Sequence, residues 1–229
     1  HIECSAMSRK YLGKTIDIHA GGADLIFPHH ENEIAQSECA NGCKFVNYWL
    51  HNGFVTINKE KMSKSLGNFL TIDDMLKNYD ANTLRLFILT NHYRMPVEFS
   101  DEALTAAQAG AKRLTNAKQT PINENLDITT TDEYKSFVDA MDDDLNTSKA
   151  LAVLFDLATR ANKGEADAYT ILYKLGSTLG FTFEKASLSE DEISKAISHV
   201  SEVLGKNFKS IDEILELRKQ ARAEKNWDI

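Results

Sequence analysis

Cysteine is scarce in this chain, and long apolar runs are missing from it. Three cysteines among 229 residues are too few, and odd in number, for the disulfide framework of a small secreted protein. No apolar stretch approaches the roughly 18 residues of a membrane helix, and no basic segment precedes an apolar secretory stretch. With 42% hydrophobic residues the chain can still bury a substantial core. We expect a soluble, cytoplasmic protein without a membrane partner.

Charge is distributed unevenly within the formal total of -8. Residues 1–99 carry 10 Lys/Arg and 11 Asp/Glu, whereas residues 100–229 carry 16 and 23. An RNA partner remains compatible with this balance, because recognition needs a local basic patch and not a basic total. One candidate patch stands near the end of the acidic part: Arg218, Lys219, Arg222 and Lys225. An ordinary solvated helix face is the favoured alternative for these four residues.

The most informative segment is residues 61–65, which read Lys-Met-Ser-Lys-Ser and are followed by Leu-Gly-Asn. Two flexible lysines that flank small hydroxyl residues can close on a polyphosphate. Each ammonium group then stabilises the negative charge that is distributed over the phosphate oxygens. A solvated Lys/Ser loop is the alternative. It is disfavoured, because this string arises by chance in a chain of this length with a probability of about 10⁻⁴.

A possible set of metal donors lies upstream of that loop. Pro28 suits a first helical turn, so that His29 and Glu33 fall four residues apart on one helix face. Cys4 would add a thiolate, and a Cys/His/Glu set suits zinc with one open position. Taken alone, a His/Glu pair at this spacing is more often a solvated face with a side-chain hydrogen bond.

Two further cysteines, Cys39 and Cys43, form a Cys-x₃-Cys pair. A metal pair is one interpretation. Because no second pair stands at finger-like spacing, small apolar side chains at a helix end are the better one.

Short strand-like runs alternate with turns in residues 15–57. Ile16 and Ile18 alternate with polar residues, and residues 45–50 and 54–57 form two further runs. One helix falls between the first two runs. This strand, helix, strand order predicts part of a parallel, doubly wound sheet, whose ligands bind beyond the carboxyl ends of its strands.

A nucleotide site is predicted at the first of these strand ends. Gly21 and Gly22 allow close backbone approach to a ligand, and Asp24 can accept hydrogen bonds from ribose hydroxyls. A plain turn is the alternative for the two glycines.

Helical patterns dominate after residue 71. Helix-start signatures occur at Thr71-x-x-Asp74, Thr130-x-x-Glu133, Ser189-x-x-Glu192 and Ser210-x-x-Glu213, and helical patterns cover residues 82–90, 100–118, 148–162 and 165–179. We interpret the run Asp142-Asp143-Asp144 as an acidic helix flank and not as a magnesium site.

The predicted fold is an α/β, partial Rossmann-like catalytic half followed by an all-α antiparallel helical bundle. The predicted domains are a nucleotide-binding part at residues 1–70, a helical connection at 71–118, a linker at 119–131 and a helical domain at 132–229. The linker is chosen for Pro121, two asparagines and three consecutive threonines.

Together these segments resemble the cysteinyl-tRNA synthetase family of class I aminoacyl-tRNA synthetases. The resemblance rests on the Cys4 segment, residues 17–24, the helix from His29 to Glu33, residues 48–53, the loop at residues 61–65 and residues 141–147. It implies a cysteine–tRNA ligase, which uses ATP to make cysteinyl adenylate and then charges the 3′ end of tRNA(Cys). L-cysteine, ATP and tRNA(Cys) would be the partners.

The resemblance also implies roles for particular residues. Lys61 and Lys64 would be catalytic and bind ATP together with Gly21, Gly22 and Asp24, and Mg²⁺ would accompany the ATP. The family holds zinc with two cysteines, a histidine and a glutamate, and Cys4, His29 and Glu33 match three of these four donors.

Two expected elements of the family are absent from the sequence: the other zinc cysteine and a His-x-Gly-His element that grips ATP. His19-Ala20-Gly21-Gly22 only approaches the latter. We therefore expect a fragment that is inactive alone. We also expect it to bind little or no zinc, because the segment around Cys4 should fray.

Two alternatives belong to other functional classes. A zinc-dependent hydrolase would use Cys4, His29 and Glu33, but it leaves the lysine loop unexplained and lacks a His-Glu-x-x-His pair. A non-catalytic helical RNA-binding module accounts only for residues 100–229.

Overall fold

A computed structural model describes residues 1–57, 60–62, 70–183 and 190–224. The chain divides into two compact units, His1–Phe183 and Glu184–Ile229. Within the described residues, no helix combines the length and the apolar character that crossing a membrane requires. The first unit contains, in chain order, α1 (Ile2–Tyr11), β1 (Ile16–Gly22), α2 (Glu31–Asn41), β2 (Val46–Asn52), β3 (Val55–Ile57), β4 (Glu60–Lys61), α3 (Ile72–Leu76), α4 (Ala81–Leu89), β5 (Val97–Glu98), α5 (Asp101–Thr115), α6 (Asp132–Asp142), α7 (Thr147–Asn162) and α8 (Ala168–Thr178). The second unit contains α9 (Glu190–Leu204) and α10 (Ile211–Ala223).

Strands β1 and β2 pair in parallel, and α2 connects them. Ile16 stands opposite Val46 in the register, and both are buried with Phe45 against Ile34 of α2. The predicted strand, helix, strand order is confirmed. Because the strands are parallel, their carboxyl ends lie side by side, which places His51 next to Gly21.

Helix α1, which carries Cys4, packs against α2. The hydroxyl of Ser5 is buried and donates a hydrogen bond of 2.8 Å to Oε1 of Gln36 on α2. The expectation that the Cys4 segment frays is therefore wrong: a buried side-chain bond and a helix–helix contact hold it.

A second sheet has the order β4-β3-β5, with β4 antiparallel and β5 parallel to β3. Gly53 lies between β2 and β3, and its amide donates to the carbonyl of Tyr93 at 2.8 Å. A Cβ atom at Gly53 would lie 2.4 Å from the carbonyl carbon of Met95. The turn of residues 92–96 thus crosses the end of β2 so closely that only glycine fits there.

Two predicted helix starts in the first unit are confirmed by their caps. The hydroxyl of Thr71 accepts a hydrogen bond of 3.0 Å from the amide of Asp74 and donates one of 2.6 Å to its carboxylate. Ser100 caps α5 by accepting from the amide of Ala103 at 3.2 Å, so this helix lies within the predicted residues 100–118.

Helices α6, α7 and α8 pack together around leucines that are fully buried, among them Leu154, Leu157 and Leu172. The buried residues of α7 recur every three or four positions, as the helical pattern of residues 148–162 predicted. The expected helical region is present in the described residues.

The predicted start of α6 at Thr130-x-x-Glu133 is wrong by one residue. Thr131 is the cap, since its hydroxyl accepts from the amide of Tyr134 at 3.2 Å. The hydroxyl of Thr130 donates instead to a main-chain carbonyl in the preceding turn. The Glu133 carboxylate, which a capping box would use, is bound by Arg160 of α7.

The three consecutive aspartates at the end of α6 differ from one another. Asp142 ends the helix, as an acidic flank would. Asp143 pairs with Lys149 at 2.8 Å, and Asp144 pairs with Arg94 at 2.6 Å. All three thus lie at the helix flank, and the last two are in addition held by specific cations.

Residues 119–131, the predicted linker, contact α8 and the chain beyond it. The Gln119 amide donates to the carbonyl of Phe183 at 2.9 Å, and the backbone amide of Asn123 donates to the hydroxyl of Thr170 at 3.1 Å. Clustering of contacts keeps this segment within the unit His1–Phe183. The predicted domain bounds stay predictions.

In the second unit, the predicted start of α10 at Ser210 is confirmed. The Ser210 hydroxyl accepts from the amide of Glu213 at 3.4 Å, and the Glu213 carboxylate accepts from the amide of Lys209 at 2.8 Å. Within the candidate basic stripe, Lys219 pairs with Glu216 at 3.2 Å. Ser189 and Lys225 lie outside the described residues.

Candidate metal and nucleotide site

The candidate site lies at the carboxyl ends of β1 and β2. From β1 the chain passes through the 3₁₀ turn Ala23–Leu25 and the wide turn Ile26–His30 before α2 begins. Phe27 is extended, with φ -131° and ψ 133°, as suits a residue that precedes proline. This path brings His29 and His30 to the amino end of α2, close to the strand ends.

The three predicted metal donors converge. One ligand atom each of Cys4, His29 and Glu33 lies within 4.8 Å of the others. Nε2 of His29 is 2.8 Å from Oε1 of Glu33, which confirms the expected i, i+4 contact. Zinc bonds of about 2.0 to 2.3 Å place tetrahedral donors about 3.3 to 3.8 Å apart, so small side-chain movements would bring these three donors to one ion.

Glu33 is the unusual member of this set because it is only 1% exposed. Its Oε2 accepts a hydrogen bond of 2.7 Å from Nε2 of His19. Its Oε1 is buried and, among the described residues, makes no hydrogen bond despite its closeness to His29. A buried carboxylate oxygen without a hydrogen bond is costly unless a cation compensates it. The donor set and this oxygen therefore fit a bound metal ion.

Sequence reasoning missed the histidines that surround the donors. His30 is 3% exposed, and its Nδ1 lies 2.8 Å from Nε2 of His51. His19, His30 and Glu33 also lie within 4.8 Å of one another, as a second possible donor group. In the sequence, the only signal for these surrounding histidines was that His19 and His51 fall near the ends of two predicted strands. That signal becomes useful only when the register in which the two parallel strands pair is known.

The pKa values of the buried His30 and the half-buried His51 are lowered. Burial is the main cause for His30, followed by the charge of His19. Burial is also the main cause for the lowered pKa of His51, followed by the charge of Arg94. Both rings therefore favour the neutral form, in which one nitrogen donates a hydrogen bond and the other accepts.

The predicted nucleotide residues lie together at the end of β1. A Cβ atom on Gly21 would lie 2.9 Å from Cε1 of His30, so Gly21 allows the imidazole to approach the strand. A Cβ atom on Gly22 would lie 2.5 Å from Oδ1 of Asp24. Close approach at both glycines is thus required by the protein's own side chains, and ATP binding here stays a prediction.

Of the two lysines that are predicted to be catalytic, only the backbone of Lys61 lies in the described part of the chain. Lys61 ends β4, where it stands opposite Thr56 of β3, and its side chain lies outside the described part of the chain. Lys64 lies outside the described residues altogether. The roles assigned to both lysines stay predictions.

The other two cysteines are at the end of α2, as predicted. Both thiols are exposed, so neither is a core side chain. Sγ of Cys43 lies 3.7 Å from the hydroxyl of Thr15. Among the described residues, neither Cys39 nor Cys43 belongs to a group of three possible metal ligands.

Comparison with known proteins agrees with this geometry. Residues 1–109 match the family model of the tRNA synthetases class I (C) catalytic domain, and residues 136–208 match that of the DALR domain. The methionyl-tRNA synthetase of Mycobacterium tuberculosis, solved with methionyl-adenylate, aligns with 75% of this chain and 42% of its own at 19% identity and a TM-score of 0.49.

Three curated relatives are called cysteine–tRNA ligase. That of Halalkalibacterium halodurans is 45% identical over 98% of this chain and 52% of its own length. That of Shouchella clausii is 46% identical over 96% and 52%, and that of Laribacter hongkongensis is 48% identical over 99% and 49%. The chain spans about half the length of these relatives. On these matches, the chain belongs to the cysteinyl-tRNA synthetase family of class I tRNA synthetases.

Proposed function

We propose that this chain carries the zinc-binding part and the signature loop of a cysteine–tRNA ligase. The single observation that supports this most is the convergence of Cys4, His29 and the buried Glu33 at the ends of two parallel strands. The names of relatives that are 45% to 48% identical agree with it. The substrates would be L-cysteine, ATP and tRNA(Cys).

Selection of cysteine is assigned to the metal donors. Cys4, His29 and Glu33 would hold zinc, and His19 orients the Glu33 carboxylate through the 2.7 Å bond to Oε2. When bound, zinc supplies a position that a substrate thiolate fills well and a serine hydroxyl fills poorly. Such selection is stronger than the roughly 10- to 200-fold discrimination that a pocket achieves by recognising one methyl group.

Activation of the amino acid is assigned to the nucleotide residues and the loop. The cysteine carboxylate attacks the α-phosphorus of ATP, and the bond to the leaving pyrophosphate breaks. Lys61 and Lys64 would stabilise the charge on the transition state and on pyrophosphate, each by about 3 kcal/mol by comparison with other preorganised donors. Gly21, Gly22 and Asp24 would bind ATP, and Mg²⁺ would accompany it.

Transfer follows activation. A ribose hydroxyl at the 3′ end of tRNA(Cys) attacks the carbonyl carbon of the adenylate, and AMP leaves. The match of residues 136–208 to a DALR domain supports a tRNA-contacting role for the predicted helical domain at residues 132–229. We keep residues 1–70 as the nucleotide-binding part, 71–118 as a helical connection and 119–131 as a linker.

The test is exchange of labelled pyrophosphate into ATP by the full-length gene product. We expect exchange with cysteine and at least about 100-fold less with serine at equal concentration. Equal exchange with both amino acids, or none with either, contradicts the proposal. Cleavage of peptides that depends on added zinc would instead favour a hydrolase.

A further inference from the structure

In the first unit, the carboxylate of Asp144 joins the turn between α6 and α7 to the turn of residues 92–96 by hydrogen bonds. Asp144, between α6 and α7, accepts hydrogen bonds from Nε of Arg94 at 2.6 Å and from Nη2 of Arg94 at 3.1 Å. It also accepts one of 2.8 Å from the hydroxyl of Tyr93. We call Asp144, Arg94 and Tyr93 the clasp. A two-bond arginine pair fixes orientation as well as distance, which a single lysine contact does not.

Neighbouring hydroxyl groups reinforce the clasp. At the start of α7, Ser148 donates to the carbonyl of Thr90 at 2.6 Å and Thr147 donates to that of Asn91 at 3.4 Å. These carbonyls follow α4 and lead into the turn of residues 92–96. Five side-chain hydrogen bonds therefore join residues 90–94 to residues 144–148, and three of them involve the turn of residues 92–96 itself.

The backbone of the clasp is unusual. Asp144 has φ 55° and Leu145 has φ 56°, both in the left-handed region. Aspartate tolerates that region, whereas leucine rarely enters it. Consecutive residues in this conformation persist only where surrounding contacts hold them, and such strain concentrates at sites with a function.

On its other side, the turn of residues 92–96 packs against Gly53, which follows β2 at the edge of the candidate site. Gly53 donates to the carbonyl of Tyr93, and the backbone of Met95 fills the space where a side chain on Gly53 would lie. Two residues earlier on β2 stands His51, which is bonded to His30 at 2.8 Å. A continuous set of contacts thus leads from Asp144 through Arg94 and Tyr93 to the end of β2.

We propose that Asp144 is a positioning residue: through Arg94 and Tyr93 it holds the turn of residues 92–96 against Gly53, and so fixes His51 and the end of β2 in the candidate site. This inference rests on the proposed function for the reaction that is positioned. The helical region thereby takes part in shaping the site, although its described residues include no candidate metal donor. An exposed ion pair of this kind adds little to stability, so we assign it a role in positioning the turn.

The first test measures the clasp itself. Asp144→Asn keeps the shape, tolerates the left-handed backbone and can still accept the bond from Tyr93, but it removes the charge that binds Arg94. Asp143→Asn, which removes the partner of Lys149 in the same turn, is the matched control. We expect hydrogen exchange of the Gly53 amide to become at least about 10-fold faster in Asp144→Asn and to stay within about 2-fold in the control.

Amides in the core of α7, such as those of Leu154 and Leu157, give the reference for global opening. If Asp144→Asn accelerates them as much as it accelerates Gly53, the substitution acts on the whole fold and the proposal is overturned. Equal exchange of Gly53 in the two variants overturns it as well.

The second test measures positioning during the reaction, in the full-length gene product. In a single turnover, Asp144→Asn should lower the rate constant of cysteinyl adenylate formation about 10-fold and leave the burst amplitude unchanged. Loss of amplitude at an unchanged rate constant would mean fewer folded sites, which contradicts positioning. Arg94→Gln should have the same effect. The double variant should be no slower than either single variant, because both substitutions remove the same contact between Asp144 and Arg94.

Failure of this inference and failure of the proposed function give different results. If the unaltered protein forms no cysteinyl adenylate, the proposed function falls, and with it the catalytic purpose of the clasp. If it forms the adenylate and Asp144→Asn is as fast as Asp143→Asn, the positioning role alone is wrong.

Discussion

Nε2 of His29 lies 2.8 Å from Oε1 of Glu33, an oxygen that is buried and, within the described residues, lacks a hydrogen bond. Ligands of one tetrahedral zinc ion lie about 3.3 Å apart, so a shift of about 0.5 Å would let this nitrogen and this oxygen bind the same ion. Cys4 approaches the same point from α1. The contact between these two side chains therefore carries the zinc prediction.

We expect the chain to bind zinc measurably, contrary to the expectation from sequence, because α1 holds Cys4 beside the other donors. Cys4→Ser and His29→Ala should each weaken zinc binding by at least about 10-fold, equivalent to about 1.4 kcal/mol. Competition with a zinc chelator measures this. Cys39→Ser removes an exposed thiol on α2 and should change nothing. Equal loss in that control would place the metal elsewhere.

His19→Ala tests the support of the donor set. Its Nε2 holds Oε2 of Glu33 at 2.7 Å, so removing it should lower zinc affinity by about 10- to 100-fold without removing a proposed ligand. The same chelator competition applies. His199→Ala, on an exposed position of α9, is the control. An unchanged affinity in His19→Ala would show that the Glu33 carboxylate needs no support.

Lys64→Ala tests the signature loop. Pyrophosphate exchange by the full-length gene product should fall by at least about 10-fold, or about 1.4 kcal/mol of transition-state stabilisation. The matched control is Lys77→Ala, which removes an exposed lysine that pairs with Asp74. If Lys64→Ala exchanges pyrophosphate as fast as the unaltered protein, the catalytic role proposed for Lys64 is wrong.

Acid should weaken the clasp. The hydrogen bonds from Arg94, and then from Tyr93, lower the pKa of Asp144 from 3.8 to about 2. A carboxyl group whose pKa is lowered by folding stabilises the folded state above its unfolded pKa, and this contribution disappears as the pH falls through the folded pKa. The difference in free energy of unfolding between the unaltered chain and Asp144→Asn is small because the pair is exposed. It should shrink further between pH 4 and pH 2. Urea titrations measure it, and in an Arg94→Gln background this pH dependence should largely vanish.

Alanine should have different effects on stability at two glycines, Gly53 and Gly110. At Gly53 the added carbon would meet the backbone of Met95 at 2.4 Å, so Gly53→Ala should lower the free energy of unfolding by about 1 to 3 kcal/mol. At Gly110, inside α5, it would lie 2.6 Å from the end of the Leu86 side chain, which can move, and 3.4 Å from Cζ of Phe155, which is ordinary contact. The gain in helix propensity, up to about 1 kcal/mol, should make Gly110→Ala nearly neutral. Thermal unfolding of both variants decides, and equal losses would contradict the argument.

The sequence predicted the features that depend on local periodicity and on short spacings. The strand, helix, strand order around α2 and the contact of His29 with Glu33 follow from patterns that are visible within a few residues. The start of α6 was misplaced because adjacent threonines offer equivalent caps, and only the pairing of Glu133 with Arg160 distinguishes them. Local patterns thus fixed the type of each element better than its first residue.

Features that depend on tertiary contacts were beyond the sequence. His30 and His51 meet only because β1 and β2 are parallel and in one particular register. Asp144 was interpreted from its acidic neighbours, whereas its partner Arg94 lies fifty residues away in the chain. Neither relationship leaves a local pattern, since long-range partners are selected by the assembled fold.

The proposed zinc donors come from separate elements: Cys4 from α1, His29 from the turn before α2, and Glu33 from the first turn of α2. An ion held by all three ties these elements together across the intervening strand β1, much as a covalent bridge closes a loop. Folding of this region and uptake of metal then become one equilibrium, so that the melting temperature of the chain rises with the free zinc concentration. The three side chains that would hold zinc for a substrate thiol would thus also make the stability of the local structure depend on the available zinc.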